Sequence, residues 1–320
     1  MIRLFRRFGT LLGFAAMVAV FTTLLPGTFL TAGNLINISQ QLSMLAVVAF
    51  SMTIVMVMTD YDLSVGSMAS LAGVVACVVF AAGYPIWAGV AAAVVVGVLG
   101  GVFNGFLVSV VGILPFVATL GTLTIYSGAA FFVSGGKTIF GRDIPAAFGE
   151  FARSGVPLGA IGGADLKLPY LTLCAAAVLA LVWFVLEHTA FGRRLYAIGG
   201  NAEAAHLAGV PVRRLRLLAF ALTGSGAALA GLMYAARVAS ANPTQGAGLM
   251  LDAIAAVFLG MTVSEEGEPH VLATLLGVLI LGVLDNGLTQ LNVDSYVREM
   301  LVGTIVIMAV AGPALSKRPT

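Results

Sequence analysis

The chain has 320 residues, 60% of them hydrophobic and only 9% charged, with a formal net charge of +2. Soluble domains carry about 25% charged residues, so the composition excludes a soluble globular protein, and the near-neutral charge gives no support to a nucleic-acid partner. Cys77 and Cys174 both lie in apolar runs and read as small core residues, not as a disulfide or a metal site.

A membrane span needs about 20 apolar residues. Ten are predicted, at 8–25, 41–59, 66–83, 86–108, 115–134, 169–187, 213–236, 249–263, 270–290 and 295–312. The whole chain, 1–320, is one polytopic all-α membrane domain on this reading. The first span follows Arg3, Arg6 and Arg7 and lacks a convincing small-residue cleavage site. It is expected to stay as an uncleaved helix with its basic end in the cytoplasm. Ten spans return the C-terminus, with Lys317 and Arg318, to the same side, together with Arg193, Arg194, Arg213, Arg214 and Arg216. Segment 135–168 then falls outside and, rich in Gly and Pro, reads as an ordered external loop with short helical pieces.

After the second span comes TDYDLSVGS, 59–67. Asp60 and Asp62 could form a metal or substrate pair, and Asp62 is a candidate pathway residue. A turn accounts for them more simply, with Asp62 or Ser64 capping the third span and Gly66 allowing close packing. In the fourth span Gly97, Gly101 and Gly105 recur at spacing four, which puts three glycines on one face for a close helix contact, within the subunit or between subunits. In the fifth, Phe116, Thr119 and Thr122 mix polar and aromatic character suited to lining a sugar route. A threonine bonded back to its own helix is the commoner arrangement. Residues 85–107 and 269–288 look alike and end in Asn104-Gly105 and Asn286-Gly287. Running in opposite directions, they predict an inverted repeat, which places Asn104 and Asn286 near a transport pathway.

Segment 189–212 is a basic, helix-capable island between apolar spans. Asn201 is a good N-cap, Glu203 sits in the first turn, Gly209 stands at the stop and Pro211 follows, which predicts one short helix from Ala202 to Ala208. There is no phosphate loop, because Phe131 stands where the first Gly before Gly136-Lys137-Thr138 is required. No catalytic or metal-binding constellation is visible, and His188, His206 and His270 fall at span ends or in loops. No ionisable group occupies a span centre, as proton- or sodium-coupled carriers usually require. This weighs against a secondary carrier without excluding one and favours energy borrowed from a partner; no resident cofactor is expected.

Several segments together resemble the permease subunits of ribose-type monosaccharide ABC importers: DYDLSVGS (60–67), NGFLVSVVGILPFVATLGTLTIYSG (104–128), FGRRLYAIGGNAEAAHLAGV (191–210), LDAIAAVFLGMT (251–262) and GVLDNGLTQLNV (282–293). The resemblance covers nearly the whole chain. It implies a ten-helix permease of the type II-like importer fold in the bacterial inner membrane, a second permease subunit as homodimer or heterodimer partner, two cytoplasmic ATPases and a periplasmic sugar-binding protein. It also implies that loop 189–212 holds a coupling helix that docks on the ATPase. Glu203-Ala204-Ala205 with Gly209 fits the pattern of such loops, and Gly192, Arg193, Gly200 and Asn201 flank it. The chain departs from the family at Glu265, Glu266 and Glu268, where an acidic loop replaces a glycine-rich one. A nucleoside, autoinducer or polyol as cargo, or a stand-alone secondary sugar carrier, are the competing readings.

Overall fold

The computed structural model describes residues 2–161, 164–264 and 267–316. Glu265, Glu266, Lys317 and Arg318 of the sequence reading lie outside the described residues. Ten long helices occupy the ten expected spans: α1 (Ile2–Leu24), α2 (Ala32–Met56), α3 (Val65–Ala81), α4 (Ile86–Phe106), α5 (Pro115–Ser134), α7 (Tyr170–His188), α10 (Val212–Val238), α11 (Ala247–Met261), α12 (Val271–Gln290) and α13 (Ser295–Ser316). Three short helices complete the set: α6 (Ala146–Arg153), α8 (Ala190–Gly200) and α9 (Ala202–Leu207). Among the described residues six helices are long and apolar enough to cross a membrane by themselves. Three shorter apolar stretches accompany them: Gly9–Leu24, α3 and α11.

The expected span ends shift in two informative places. Helix α2 begins at Ala32, nine residues before the expected start at 41, because the polar stretch Asn34–Gln41 is helical as well. Thr31 caps it by accepting from the Asn34 amide at 3.2 Å. Helix α4 does not stop at Phe106 but runs on as a π-helix, Leu107–Val111, until Gly112 turns it at φ +85°. Pro115 then opens α5, where its missing N–H costs nothing.

Helix α2 is the axis of the bundle. Its residues from Leu42 to Met56 are buried without break, and it packs against α7, α10, α11 and α12. Close packing elsewhere rests on small residues, because lipid offers helices no hydrophobic reason to associate. Gly97, Gly101 and Gly105 of α4 all face α10. A Cβ on Gly97 would stand 2.6 Å from the Gly224 carbonyl oxygen, one on Gly101 2.8 Å from Ala221 Cα, and one on Gly105 2.7 Å from Leu217 Cα. The glycine face is therefore an internal seam of one subunit. Gly66, in turn, lies against Gly246 at the start of α11, 2.6 Å from its carbonyl oxygen for an added Cβ.

The helix ends sort into two groups. At one end, the 57–64 loop, α8, α9 and residues 267–270 meet. At the other, β1 (Ile139–Phe140) pairs antiparallel with β4 (Ser240–Ala241), and α6 packs beneath the α3 end through Phe80 and Phe148, ring centroids 4.9 Å apart. The described residues of segment 135–168 hold more strand than helix. Its β2 (Gly155–Ile161) and β3 (Ala164–Pro169) form an antiparallel hairpin. Helices α4 and α12 run in opposite directions: Asn104 lies at the 57–64 end and Asn286 at the other, beside Asn34.

Candidate functional site: the α8–α9 face and the buried polar clusters

Loop 189–212 folds into two helices, not one. Helix α9 spans Ala202–Leu207, with Ala208 as its last cap, and α8 precedes it. Asn201 closes α9 from the N-terminal side: its side chain accepts from the Ala204 amide at 2.9 Å, which satisfies one of the free first-turn donors. Gly209, at φ +84°, ends it. The sequence signal for α8 is Thr189, whose hydroxyl accepts from the Gly192 amide at 3.3 Å. Gly192 is needed there because an added Cβ would collide with the Leu186 backbone where α7 folds back into α8.

The pair has an inner and an outer side. Leu195, Ile198 and Ala205 are buried against the bundle. Gly199 lies against the C-terminal end of α2, an added Cβ standing 3.4 Å from Met58 Cα and closer still to the Val57 carbonyl. Outward face Arg193, Arg194, Gly200, Asn201, Glu203, Ala204 and Gly209. Leu207 is 82% exposed, an unusual position for a leucine on a fixed helix. Nothing in the sequence spacing had singled it out.

Three polar contacts gather at this end of the bundle, and through Tyr196 the first ties α8 to it. Tyr196 donates through its hydroxyl to Glu187 Oε1 at 3.0 Å and to the Pro269 carbonyl at 3.3 Å. His270 Nε2 lies 3.3 Å from the same Glu187 oxygen, while its Nδ1 accepts from the Leu272 amide and so caps α12. Arg216 donates from Nη2 to Asp60 Oδ1 at 3.2 Å, with Nε 2.9 Å from Oδ2. Burial raises the Asp60 carboxyl from 3.8 to about 6, and Arg216 opposes that rise. Between α8 and these loops lies a cleft of about 130 Å³, lined in part by Met56, Thr59, Tyr61, Met261 and Glu268.

Asp60 and Asp62 do not act together. Asp62 turns the other way into a closed cluster, where its Oδ1 accepts from the Ser64 amide at 2.9 Å and the Ser64 hydroxyl at 2.6 Å. Ser64 sits at the cap position of α3 without a side-chain cap bond, since its hydroxyl is spent on Asp62. Asn104 Nδ2 reaches Ser64 Oγ at 2.8 Å and both Asp62 oxygens at 3.3 and 3.4 Å. Tyr126 donates to the Gly100 carbonyl at 2.8 Å and to Asn104 Oδ1 at 3.3 Å. Thr119 bonds back to Pro115 O at 2.8 Å, also reaches Tyr61 O at 3.3 Å, and Thr122 bonds back to Thr119 O. Asp62, Asn104, Thr119 and Thr122 are thus brought together and buried, while Phe116 points away, 55% exposed, on the outer face of α5. Asn286 belongs to a second cluster at the far end. It accepts from Asn34 at 3.0 Å and Gln290 at 2.7 Å, and its own amide reaches Gln41. Among the described residues no three His, Cys, Asp or Glu side chains gather as a metal site.

Residues 34–310 match the family described as branched-chain amino acid transport system / permease component. The ribose import permease protein of Escherichia coli K12 is 36% identical over 304 residues, 94% of this chain and 91% of that protein. The ribose import permease protein of Bacillus subtilis is 35% identical over 305 residues, 95% of this chain and 92% of that protein. The D-allose transport system permease protein of E. coli K12 is 32% identical over 306 residues, 95% and 90% of the two chains. No solved structure matched the chain.

Proposed function

The chain belongs to the permease family described as branched-chain amino acid transport system / permease component, and from that membership we propose that it is the membrane-spanning subunit of an ATP-driven importer for a monosaccharide. The sugar cargo rests on relatives named for ribose and allose import. The end that carries α8 and α9 is the cytoplasmic one, because Arg193, Arg194, Arg213 and Arg214 are all exposed there. Both termini then lie in the cytoplasm of a bacterial inner-membrane protein, and the 135–168 hairpin segment faces the periplasm and a sugar-binding protein.

The observation that carries the mechanism is the seated α8–α9 pair. It is capped at both starts, buried on one side and fully presented on the other. Glu203, Ala204, Leu207 and Gly209 form the surface offered to a cytoplasmic ATPase, with Leu207 as the apolar anchor, Ala204 permitting close approach and Ala205 seating the helix on the bundle. Gly192, Arg193, Gly200 and Asn201 hold its shape and charge. ATP binding draws two ATPases together and moves α8, which bears on the end of α2 through Gly199 and on α12 through Tyr196, Glu187 and His270. A second permease subunit completes the pathway. Phe116, exposed on α5, borders it, while the buried clusters of Asp62, Asn104, Thr119 and Thr122 at one end and of Asn286 at the other brace the helices beside it.

The test is a Glu203→Arg/Gly209→Val double substitution and, separately, Leu207→Asp, in cells carrying the complete importer. Uptake is expected to fall at least tenfold and the ATPase to stop co-purifying, while the permease still reaches the membrane. Uptake and co-purification both preserved would refute the assignment.

A further inference from the structure

A second concentration of charge lies at the opposite end of the bundle from α8. Asp285 on α12 pairs through Oδ1 with Arg298 Nη1 on α13. Asp252 on α11 lies within electrostatic reach of Arg298, Asp285 and Glu299, and Arg237 near the end of α10 within reach of Asp285. Four helices therefore converge their ionisable side chains on one place. The Asp285–Arg298 pair is not sealed: the two side chains are 36% and 37% exposed. The pair lies near the ends of α12 and α13, where partly exposed charges reach water or a protein partner and need not face hydrocarbon.

The α12–α13 turn settles which of these the geometry favours. It opens a cleft of about 380 Å³, within the usual range of small-molecule sites. Arg298 belongs to both the charged group and the cleft, and Thr289, Asn292, Asp294 and Ser295 line the remainder with Leu288 and Val293. The lining offers a guanidinium that only donates, a carboxylate that only accepts, and hydroxyls that do both. The two apolar side chains supply a patch for C–H faces. Each hydroxyl of a sugar both donates and accepts, and a pyranose or furanose ring has apolar C–H surfaces, so the two chemistries fit. Charges of both signs leave the cleft without a preference for a free ion.

We propose that this cleft, with Arg298, Asp294 and Thr289, is the receiving subsite where a neutral sugar first leaves the binding protein and enters the permease. The assignment of sugar as the ligand rests on the functional reading above. Arg298 donates to ring hydroxyls, Asp294 accepts from them, and Asp285, outside the lining, fixes the guanidinium.

The experiment uses the complete transporter in proteoliposomes with D-ribose, D-xylose and D-allose as probes. First, Thr289→Cys, in a background with Cys77 and Cys174 replaced by alanine, is reacted with a membrane-impermeant maleimide from the binding-protein side. Labelling is expected, and saturating sugar-loaded binding protein is expected to slow it at least threefold. Second, Arg298→Lys keeps a cation beside Asp285 and Asp252 but removes the paired donors of the guanidinium. It is expected to melt near the wild-type temperature yet show an uptake KM raised about tenfold, a larger change than in kcat. No labelling, labelling that sugar leaves unchanged, or an Arg298→Lys variant with wild-type KM would each overturn the proposal. Import of none of the three sugars by the unmodified complex overturns the functional reading instead, before any substitution is made.

Discussion

Gly101→Ala is a single methyl group placed in the tightest part of the α4–α10 seam. Its Cβ would stand 2.8 Å from Ala221 Cα and closer still to the Phe220 carbonyl oxygen. Carbon atoms rest about 3.5–4.0 Å apart, so the two helices must part by roughly 1 Å at this point. The obstacles are backbone atoms, and no side-chain rotation relieves them. Parting by that distance forfeits about a quarter to a half of each affected van der Waals contact, and Gly97 and Gly224 sit in the same seam. Overpacking of this kind costs about 1–3 kcal/mol, and the upper half of that range is expected here. A control separates crowding from helix propensity. Gly13, in α1, is exposed and has nothing within 4 Å of an added Cβ. Gly13→Ala is expected to be neutral or to stabilise by up to about 1 kcal/mol. The assay is thermal unfolding of the purified protein in one detergent, wild type and both variants side by side. Gly101→Ala melting at or above wild type would refute the reasoning, because it would mean that α4 and α10 are not in backbone contact.

Asn104→Ala leaves Asp62 buried without its Asn104 donor and should cost about 1–3 kcal/mol, seen as a lower melting temperature; an unchanged one would mean that the cluster is hydrated and not closed. For Asp60 the folded-state carboxyl lies above its unfolded value, at about 6 against 3.8. Its contribution is therefore fully present below 3.8 and lost as pH rises through about 6. Wild type should lose stability relative to Asp60→Asn between pH 4 and 6, and a pH-independent difference in melting temperature would contradict this. Asn201→Ala removes the α9 cap, worth about 0.5–2 kcal/mol, and should speed amide exchange over 202–207 while leaving the spans unaffected.

The spans were legible because apolar length is the one signal that lipid enforces on every segment, and all ten expected spans have a helix. The α9 cap and stop were legible for a different reason. Asn201 and Gly209 do their work within a few residues, so local sequence carries the whole cause. Helix α8 was missed because Gly192, Gly199 and Gly200 argue against a helix locally. Two of them are there for close approach to Leu186 and Val57, which only the folded bundle supplies. The hairpin of β2 and β3 hid behind the same Gly- and Pro-rich composition that marks a loop. Asp62 and Asn104 stand 42 positions apart, and no periodicity links them; their bond is a product of how α4 meets the 57–64 turn. The charged group at the far end was visible only as scattered residues at span ends. Its convergence depends on the packing of α10 to α13.

Helix α2 is 25 residues long, which makes it a rod of roughly 37 Å at 1.5 Å per residue. Its lower end meets α8 by backbone at Gly199, with no flexible side chain between to absorb motion. Its upper end is tied on three sides: Asn34 to Asn286, Ser39 to Thr172 on α7, and Gln40 to the Ala152 carbonyl of α6. A tilt of a few degrees imposed below is therefore delivered above as a lateral shift of an ångström or more, shared at once by α6, α7 and α12. News that a nucleotide has bound would travel across the membrane along one stiff element, and the timing of cargo release would follow from its length and anchoring, without relay through a chain of side-chain rearrangements.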